Sequence, residues 1–171
     1  MEKNNIQVTF KGNPINLLGK ATQVGQKAED FTVVGNGLNP VKLSDYSGKV
    51  VILSVFPSLD TPVCATQNRK FNEAAAGLSD EIVILGLSVD LPFAQARFCG
   101  AEGIDKVVTA SDYQMHDFSA KYGFLIDGLR LLTRGTVVID KTGVVKFVEY
   151  VPEATDEPNY EAALKAAKEL V

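Results

Sequence analysis

Reactive side chains are scarce in this chain: among 171 residues there are two cysteines, Cys64 and Cys99, and one histidine, His116. Cys64 closes the stretch Pro57-Ser58-Leu59-Asp60-Thr61-Pro62-Val63-Cys64, where an apolar run stops, the chain turns and helix-forming residues begin. Thr61-Pro62 reads as a helix N-cap followed by proline at the first helical position, where the missing N–H would have had no intrahelical partner. Cys64 then falls in the first turn. A thiol placed there feels the positive end of the helix dipole and nearby unpaired amides, both of which favour thiolate over thiol. The chemistry this points to is nucleophilic attack by sulfur. Free cysteine is also a small hydrophobe common in cores, so two inert buried thiols are the competing reading of these residues.

Other chemistries have less to work with. The two cysteines lie far apart and His116 has no second histidine at ligand spacing, so no metal site is expected. His116 reads as a partly exposed helix residue, and it is the only base a serine or cysteine hydrolase could use. There is no Cys-x-x-Cys dithiol and no glycine-rich phosphate loop, and no cofactor is expected. The net charge of −4, with Lys and Arg scattered, supplies no basic stripe for nucleic acid. No apolar run approaches the ~20 residues that span a bilayer, and Met1-Glu2-Lys3-Asn4-Asn5 is too polar to begin a signal peptide. A cytoplasmic protein without membrane contact is therefore expected. In that reducing compartment a bond between the cysteines would be transient, catalytic or redox-sensing.

The elements that must position Cys64 follow from periodicity. The length suits one domain covering residues 1–171. Ile6, Val8 and Phe10, then Ile15 and Leu17 beyond Lys11-Gly12-Asn13-Pro14, predict an N-terminal β-hairpin. A second strand pair is expected around Phe31–Val34 and Pro40–Leu43, followed by a loop or single helical turn at Ser44–Gly48. Val50–Phe56 is apolar nearly throughout, as in a strand covered on both faces, and Pro57 ends it. A helix is expected from Pro62 to about Ala76, with Val63, Phe71, Ala74, Ala75 and Leu78 on its apolar faces and Gly77 as its stop. The buried-type strand Ile82–Val89 follows, and strand, helix, strand implies a parallel pair with a right-handed crossover. A short helix from Pro92 should end at Cys99 before Gly100, and a short strand is expected at Lys106–Thr109. A helix from about Tyr113 to Tyr122 stops at Gly123, and a hairpin joins Thr136–Asp140 to Val144–Val151. The last helix carries Tyr160, Leu164, Ala167 and Val171 on one face. This is the order of an α/β, thioredoxin-like fold with an added N-terminal hairpin.

At this point the residues meet a known pattern. Pro57-x-x-x-Thr61-x-x-Cys64 resembles the peroxiredoxin active-site signature, and Pro57–Cys64 as a whole is similar to that of the bacterial thiol peroxidases, the atypical two-cysteine group. The resemblance extends through Phe10-Lys11-Gly12, Leu43-Ser44-Asp45-Tyr46-x-Gly48-Lys49, Ser88–Cys99 and Leu132-Thr133-Arg134. One departure is Glu29, where many relatives carry proline. The resemblance implies that Cys64 attacks the O–O bond of a hydroperoxide and becomes a sulfenic acid. It also implies that Cys99 resolves this as an intramolecular disulfide, and that thioredoxin reduces the bond. Thr61 is implied to hydrogen-bond the thiolate or peroxide, Arg134 to stand beside the sulfur and Pro57 to shield the site from water. A homodimer acting on hydrogen peroxide and on alkyl or lipid hydroperoxides is implied as well.

Physical chemistry apportions the work. Lowering a thiol pKa from about 8.5 to about 6 raises the thiolate fraction at pH 7 by at most ~30-fold, and falling nucleophilicity takes part of that back. The larger contribution must come from donors aimed at the peroxide oxygens: Arg134, the Thr61 hydroxyl and the Cys64 N–H. Arg130 or Arg97 would take the place of Arg134 if the strand register differed. A disulfide needs Cα atoms within about 7 Å, so the Cys64 turn, the Cys99 segment or both are expected to shift. Two further readings stay open at this level, a slow redox sensor using the same thiols and a structural module with inert ones.

Overall fold

The computed structural model describes residues 1–171. Its strands are β1 (Val8–Phe10), β2 (Asn13–Ile15), β3 (Leu17–Leu18), β4 (Thr32–Gly35), β5 (Pro40–Lys42), β6 (Val50–Val55), β7 (Ile82–Ser88), β8 (Val107–Ser111), β9 (Leu125–Ile126), β10 (Gly135–Ile139) and β11 (Val145–Tyr150). Its helices are α1 (Pro62–Ala75), α2 (Pro92–Glu102), α3 (Asp117–Tyr122) and α4 (Tyr160–Lys168), with a 3-10 turn at Leu43–Tyr46. β1 and β2 form the expected N-terminal hairpin, but its second strand stops at Ile15; Leu17 belongs to β3, which pairs with β9, a strand that periodicity did not show. The remaining strands make one sheet in the order β11-β10-β6-β7-β8-β4-β5. β6, β7 and β8 run parallel, as the strand-helix-strand pattern requires, and the other pairings are antiparallel. No helix is long and apolar enough to cross a membrane.

Successive strand residues point to opposite faces, and β6 uses both. Val50 and Ile52 pack with Phe71 of α1 and with Ala163 and Ala167 of α4. Val51, Leu53 and Val55 pack on the other side with Phe31, Phe118, Tyr122 and Phe124. The same alternation sets a row of small or polar residues across the helix-covered face: Thr136 lies opposite Ser54, Ser54 opposite Gly86, and Gly86 opposite Thr109. A Cβ on Gly86 would stand 3.2 Å from Asn68 Oδ1 of α1, so the missing side chain lets α1 sit close to the sheet.

Several element boundaries differ from expectation. α2 runs past Gly100 to a left-handed cap at Gly103, so Cys99 lies within the helix and not at its end. α1 ends without a left-handed glycine; its last turn closes through Ala76 N–H to Glu73 O (3.3 Å) and Gly77 N–H to Ala74 O (3.1 Å). Its buried face is Cys64, Gln67, Asn68 and Phe71 with Ala65; of the expected apolar positions Phe71 is fully buried, while Val63, Ala74, Ala75 and Leu78 are only partly so. α3 begins at Asp117 because His116 has φ +51°, which a helix interior does not accommodate. The Asp112 carboxylate then accepts the N–H groups of Phe118 (3.0 Å) and Ser119 (2.9 Å). Val171 lies beyond α4 and is exposed.

Candidate active site

β6 and β7 run parallel and end side by side, so the chain leaves both at one edge of the sheet, where open α/β sheets build their sites. From β6 the chain passes through buried Phe56 and Pro57 into α1. Thr61 has the extended backbone of an N-cap and Pro62 opens the helix, so Cys64 is its third residue. The first intrahelical bond is Ala65 N–H to Thr61 O (3.1 Å), which leaves earlier amides of the turn free to face a ligand.

Cys64 is fully buried, packed with Phe56 and Leu59 and against Phe98 of α2. Its Sγ accepts the Ser58 N–H at 3.5 Å. The Thr61 hydroxyl, which is exposed, does not cap α1; it donates to Ser58 O at 2.9 Å. Both contacts hold Ser58 against the turn that carries the sulfur.

Arg134 reaches this edge by strand register. β10 is antiparallel to β6, and Gly135 lies opposite Val55, so the residue before Gly135 arrives where β6 ends. Arg134 is buried, its Nε–H donating to Ala154 O (3.0 Å) and its Nη1–H to Gln67 Oε1 (2.8 Å). Gln67 Nε2 in turn donates to Ser54 Oγ (2.8 Å) and Val55 O (3.2 Å). Gln67 stands three residues after Cys64 and therefore on the same face of α1. Arg134 makes no ion pair, so neutral carbonyls hold a buried cation whose field is not cancelled at contact. Arg97 and Arg130, the alternatives to it, are both exposed. On the rim, Lys70 pairs with Glu157 (3.1 Å), and Tyr160 donates its hydroxyl to Glu157 (3.0 Å). Burial, that hydrogen bond and the Glu157 charge push the Tyr160 phenol well above its ordinary range.

Cys99 is half-buried on α2, with its Sγ 3.5 Å from Thr109 Oγ1. Burial pushes its thiol above the ordinary value, and the Thr109 contact opposes the rise. The two thiols are unbonded, and each has its own neighbours. Pro57, Cys64 and Arg134 thus gather at one sheet edge with Thr61 at its surface, and Cys99 stands on the adjacent helix.

Sequence reasoning missed three residues of this site. Gln67 had one available signal, a polar side chain one turn beyond Cys64 on the face that must meet the sheet. Ser58 and Asp90, whose carboxylate accepts the Ser58 hydroxyl, had only their places at the ends of two parallel strands. The arrangement can stabilise an anion at Cys64 and negative charge developing on a bound oxygen.

Comparison with known proteins places the whole chain. The Redoxin family model matches residues 23–164. The thiol peroxidase of Bacillus subtilis (strain 168) is 52% identical over 165 residues, covering 96% of this chain and 98% of that protein. The thiol peroxidase of Listeria monocytogenes serovar 1/2a is 52% identical over 162 residues, covering 95% of this chain and 98% of its own. The crystal structure of a peroxiredoxin-like protein from Aquifex aeolicus superimposes with a TM-score of 0.92 at 40% identity, covering 100% of both chains.

Proposed function

The chain belongs to the Redoxin family, among its thiol peroxidases, and we propose that Cys64 is its peroxidatic sulfur, with Cys99 the thiol that resolves it. The Cys64 thiolate attacks one oxygen of the hydroperoxide and the O–O bond breaks. Sulfur keeps that oxygen and its hydrogen as a sulfenic acid, and the other leaves as hydroxide or alkoxide, taking up the proton that the thiol released on ionising to become water or an alcohol. Cys99 then attacks the Cys64 sulfur; the S–O bond breaks, and the hydroxyl leaves as water with the Cys99 proton. A thiol reductant restores both cysteines.

The observation that carries this reading is the buried guanidinium of Arg134, free of any ion pair and tied through Gln67 to the helix face that bears Cys64. Donors of this kind, fixed before charge develops, contribute about 2.7 to 4 kcal/mol each to such reactions. The amides of the first α1 turn add a second set. The Thr61 hydroxyl has one proton, which it donates to Ser58 O, and it serves the peroxide after turning about its side-chain bond. Pro57, buried between Phe56 and Ser58, keeps water from the sulfur. The raised Cys99 thiol is neutral at pH 7 and reacts once its surroundings open.

Hydrogen peroxide and alkyl or lipid hydroperoxides are the proposed substrates and thioredoxin the proposed reductant, in antioxidant defence of the cytoplasm. A homodimer of one-domain chains is the proposed state, and the exposed Leu91 and Phe93 at the start of α2 supply apolar surface for it. Stopped-flow oxidation by hydrogen peroxide, followed by mass analysis, tests the scheme. Cys64→Ser should abolish turnover, and Cys99→Ser should permit one oxidation but no thioredoxin-linked cycling. Undiminished thioredoxin-linked activity in Cys99→Ser would refute the resolving role.

A further inference from the structure

Asp90 lies just beyond β7, on the short link that leads into α2, and its carboxylate reaches back to the Cys64 loop. Oδ1 accepts the Ser58 hydroxyl at 2.7 Å, and Oδ2 accepts the Leu59 N–H at 2.9 Å. Oδ2 also accepts the Ser88 hydroxyl at 2.7 Å. The network continues into α2, where buried Gln95 donates from Nε2 to Ser88 Oγ (3.1 Å) and to Ala110 O (3.0 Å). Gln95 stands four residues before Cys99, on the same helix face. At the other end, Ser58 donates its N–H to Cys64 Sγ, and the Leu59 side chain packs on that sulfur. A continuous set of hydrogen bonds therefore runs from the cover of one thiol to the helix that carries the other, with a single carboxylate at its centre.

We propose that Asp90 is a positioning residue: it latches Ser58 and Leu59 over Cys64, holds the Ser58 N–H on the sulfur for attack on peroxide, and must release before the disulfide can form. This rests on the assignment of Cys64 and Cys99 made above. The two steps make opposite demands on the latch. Attack on peroxide wants the donor set fixed, because a donor that wanders loses most of its effect on the transition state. Cys64 packs with Phe56 and Leu59 and Cys99 against a separate apolar cluster, each with its own polar partner, so bringing the sulfurs to an S–S distance of about 2.05 Å draws Cys64 from the Ser58 N–H and Cys99 from Thr109. Hydrogen bonds to a carboxylate are among the stronger ones, so breaking them is a substantial part of the barrier to that movement.

The test uses the full chain as wild type, Asp90→Asn and Ser58→Ala, each also in a Cys99→Ser background to isolate the first step. Asp90→Asn keeps the shape and removes the charge. Ser58→Ala removes one bond to the carboxylate and leaves the charge in place, which separates latching from electrostatics. Reduced protein is mixed with hydrogen peroxide, quenched at intervals, and thiol, sulfenic acid and disulfide are counted by mass. Both variants should form the sulfenic acid more slowly, and both should close the disulfide faster, by about tenfold for Asp90→Asn, which corresponds to ~1.4 kcal/mol. A general loosening of the fold would also speed closure, so Val41→Ala on the far edge strand β5 is the control, and the same pair of changes there marks loosening and not a latch. That outcome, or unchanged rates for both steps in both variants, overturns the latch. Absence of a Cys64–Cys99 disulfide in the wild type overturns the underlying assignment and the latch with it.

Discussion

Replacing Gln67 with glutamate puts a negative charge where the structure holds a neutral acceptor. Gln67 is fully buried, and its Oε1 takes the Nη1–H of Arg134 at 2.8 Å. Gln67→Glu preserves shape and that acceptor; it loses the bond to Val55 O, while the Ser54 hydroxyl can turn to donate to the new oxygen, so Arg134 stays paired but its field is offset by a contact carboxylate. Cys64 is one turn away on the same face, at a spacing of about 6 Å for such helix neighbours. Two like charges at ~6 Å with an effective dielectric of about 20 repel by roughly 3 kcal/mol, which is about 100-fold in rate. The neutral variant Gln67→Met loses the contact without adding charge and should slow the reaction by only about tenfold, the scale of one hydrogen bond to a charged group. Stopped-flow oxidation by hydrogen peroxide measures this after thermal melts show both variants folded. The ratio of the Gln67→Glu rate to the wild-type rate should rise as pH falls, because protonating the new carboxylate removes the repulsion. If Gln67→Glu stays within about threefold of wild type at pH 7, the buried guanidinium is not what drives the chemistry.

Two other outcomes follow from features away from the sulfur. Glu153 ties the N-terminal hairpin to the segment after β11, accepting the Thr155 hydroxyl (2.6 Å), the Gly12 N–H (2.7 Å) and the Thr9 hydroxyl (2.9 Å). Those donors, the Thr155 hydroxyl first, lower its pKa from 4.5 to about 2. Because the folded value is the lower one, the stabilisation is complete above the unfolded value and is lost as pH falls from 4.5 to about 2. Urea midpoints of Glu153→Gln should therefore lie below wild type at pH 7 and converge with it near the acid end of that window. At Gly135, an added Cβ would meet the Glu149 carbonyl and stand 2.7 Å from the Phe124 ring. Gly135→Ala should cost at least about 2 kcal/mol in a melt, and it should slow peroxide attack as well, since Arg134 is the residue just before it. A wild-type rate in a destabilised Gly135→Ala variant would show that Arg134 tolerates a shifted strand.

The local features of the site were legible because they rest on near neighbours in the chain. Pro62 after Thr61 starts a helix through steric and hydrogen-bonding preferences that reach only a few residues, and these place Cys64 in its first turn. The run Val50–Val55 is buried on both faces as its composition requires. Gly103 shows the limit of such reading: both it and Gly100 could end a helix, and only the docked α2 shows the later one taking the left-handed cap. The Thr61 hydroxyl shows it again, since an N-cap residue can bond forward into its helix or back to the loop, and this one turns back to Ser58.

From its sequence alone, then, this protein's main strands and helices, its parallel strand-helix-strand core and a thiol at a helix start were determined, because propensity, capping and periodicity act over a few residues; the two-residue strands β3 and β9 were not, because only their pairing with each other makes them strands. Family resemblance could attach Arg134 and Cys99 to that thiol, but no spacing along the chain brings them there. Tertiary structure decided where Arg134 goes, and it sets Cys99 on the adjacent helix with neighbours of its own. Antiparallel pairing of Gly135 with Val55 delivers the guanidinium to the end of β6. The packing of α1 on the sheet turns Gln67 inward to hold it, and the shared edge of β6 and β7 lets Asp90 bind the loop over Cys64. These contacts depend on hydrogen bonding between strands and on which helix face meets the sheet, and neither is settled until distant segments pack together.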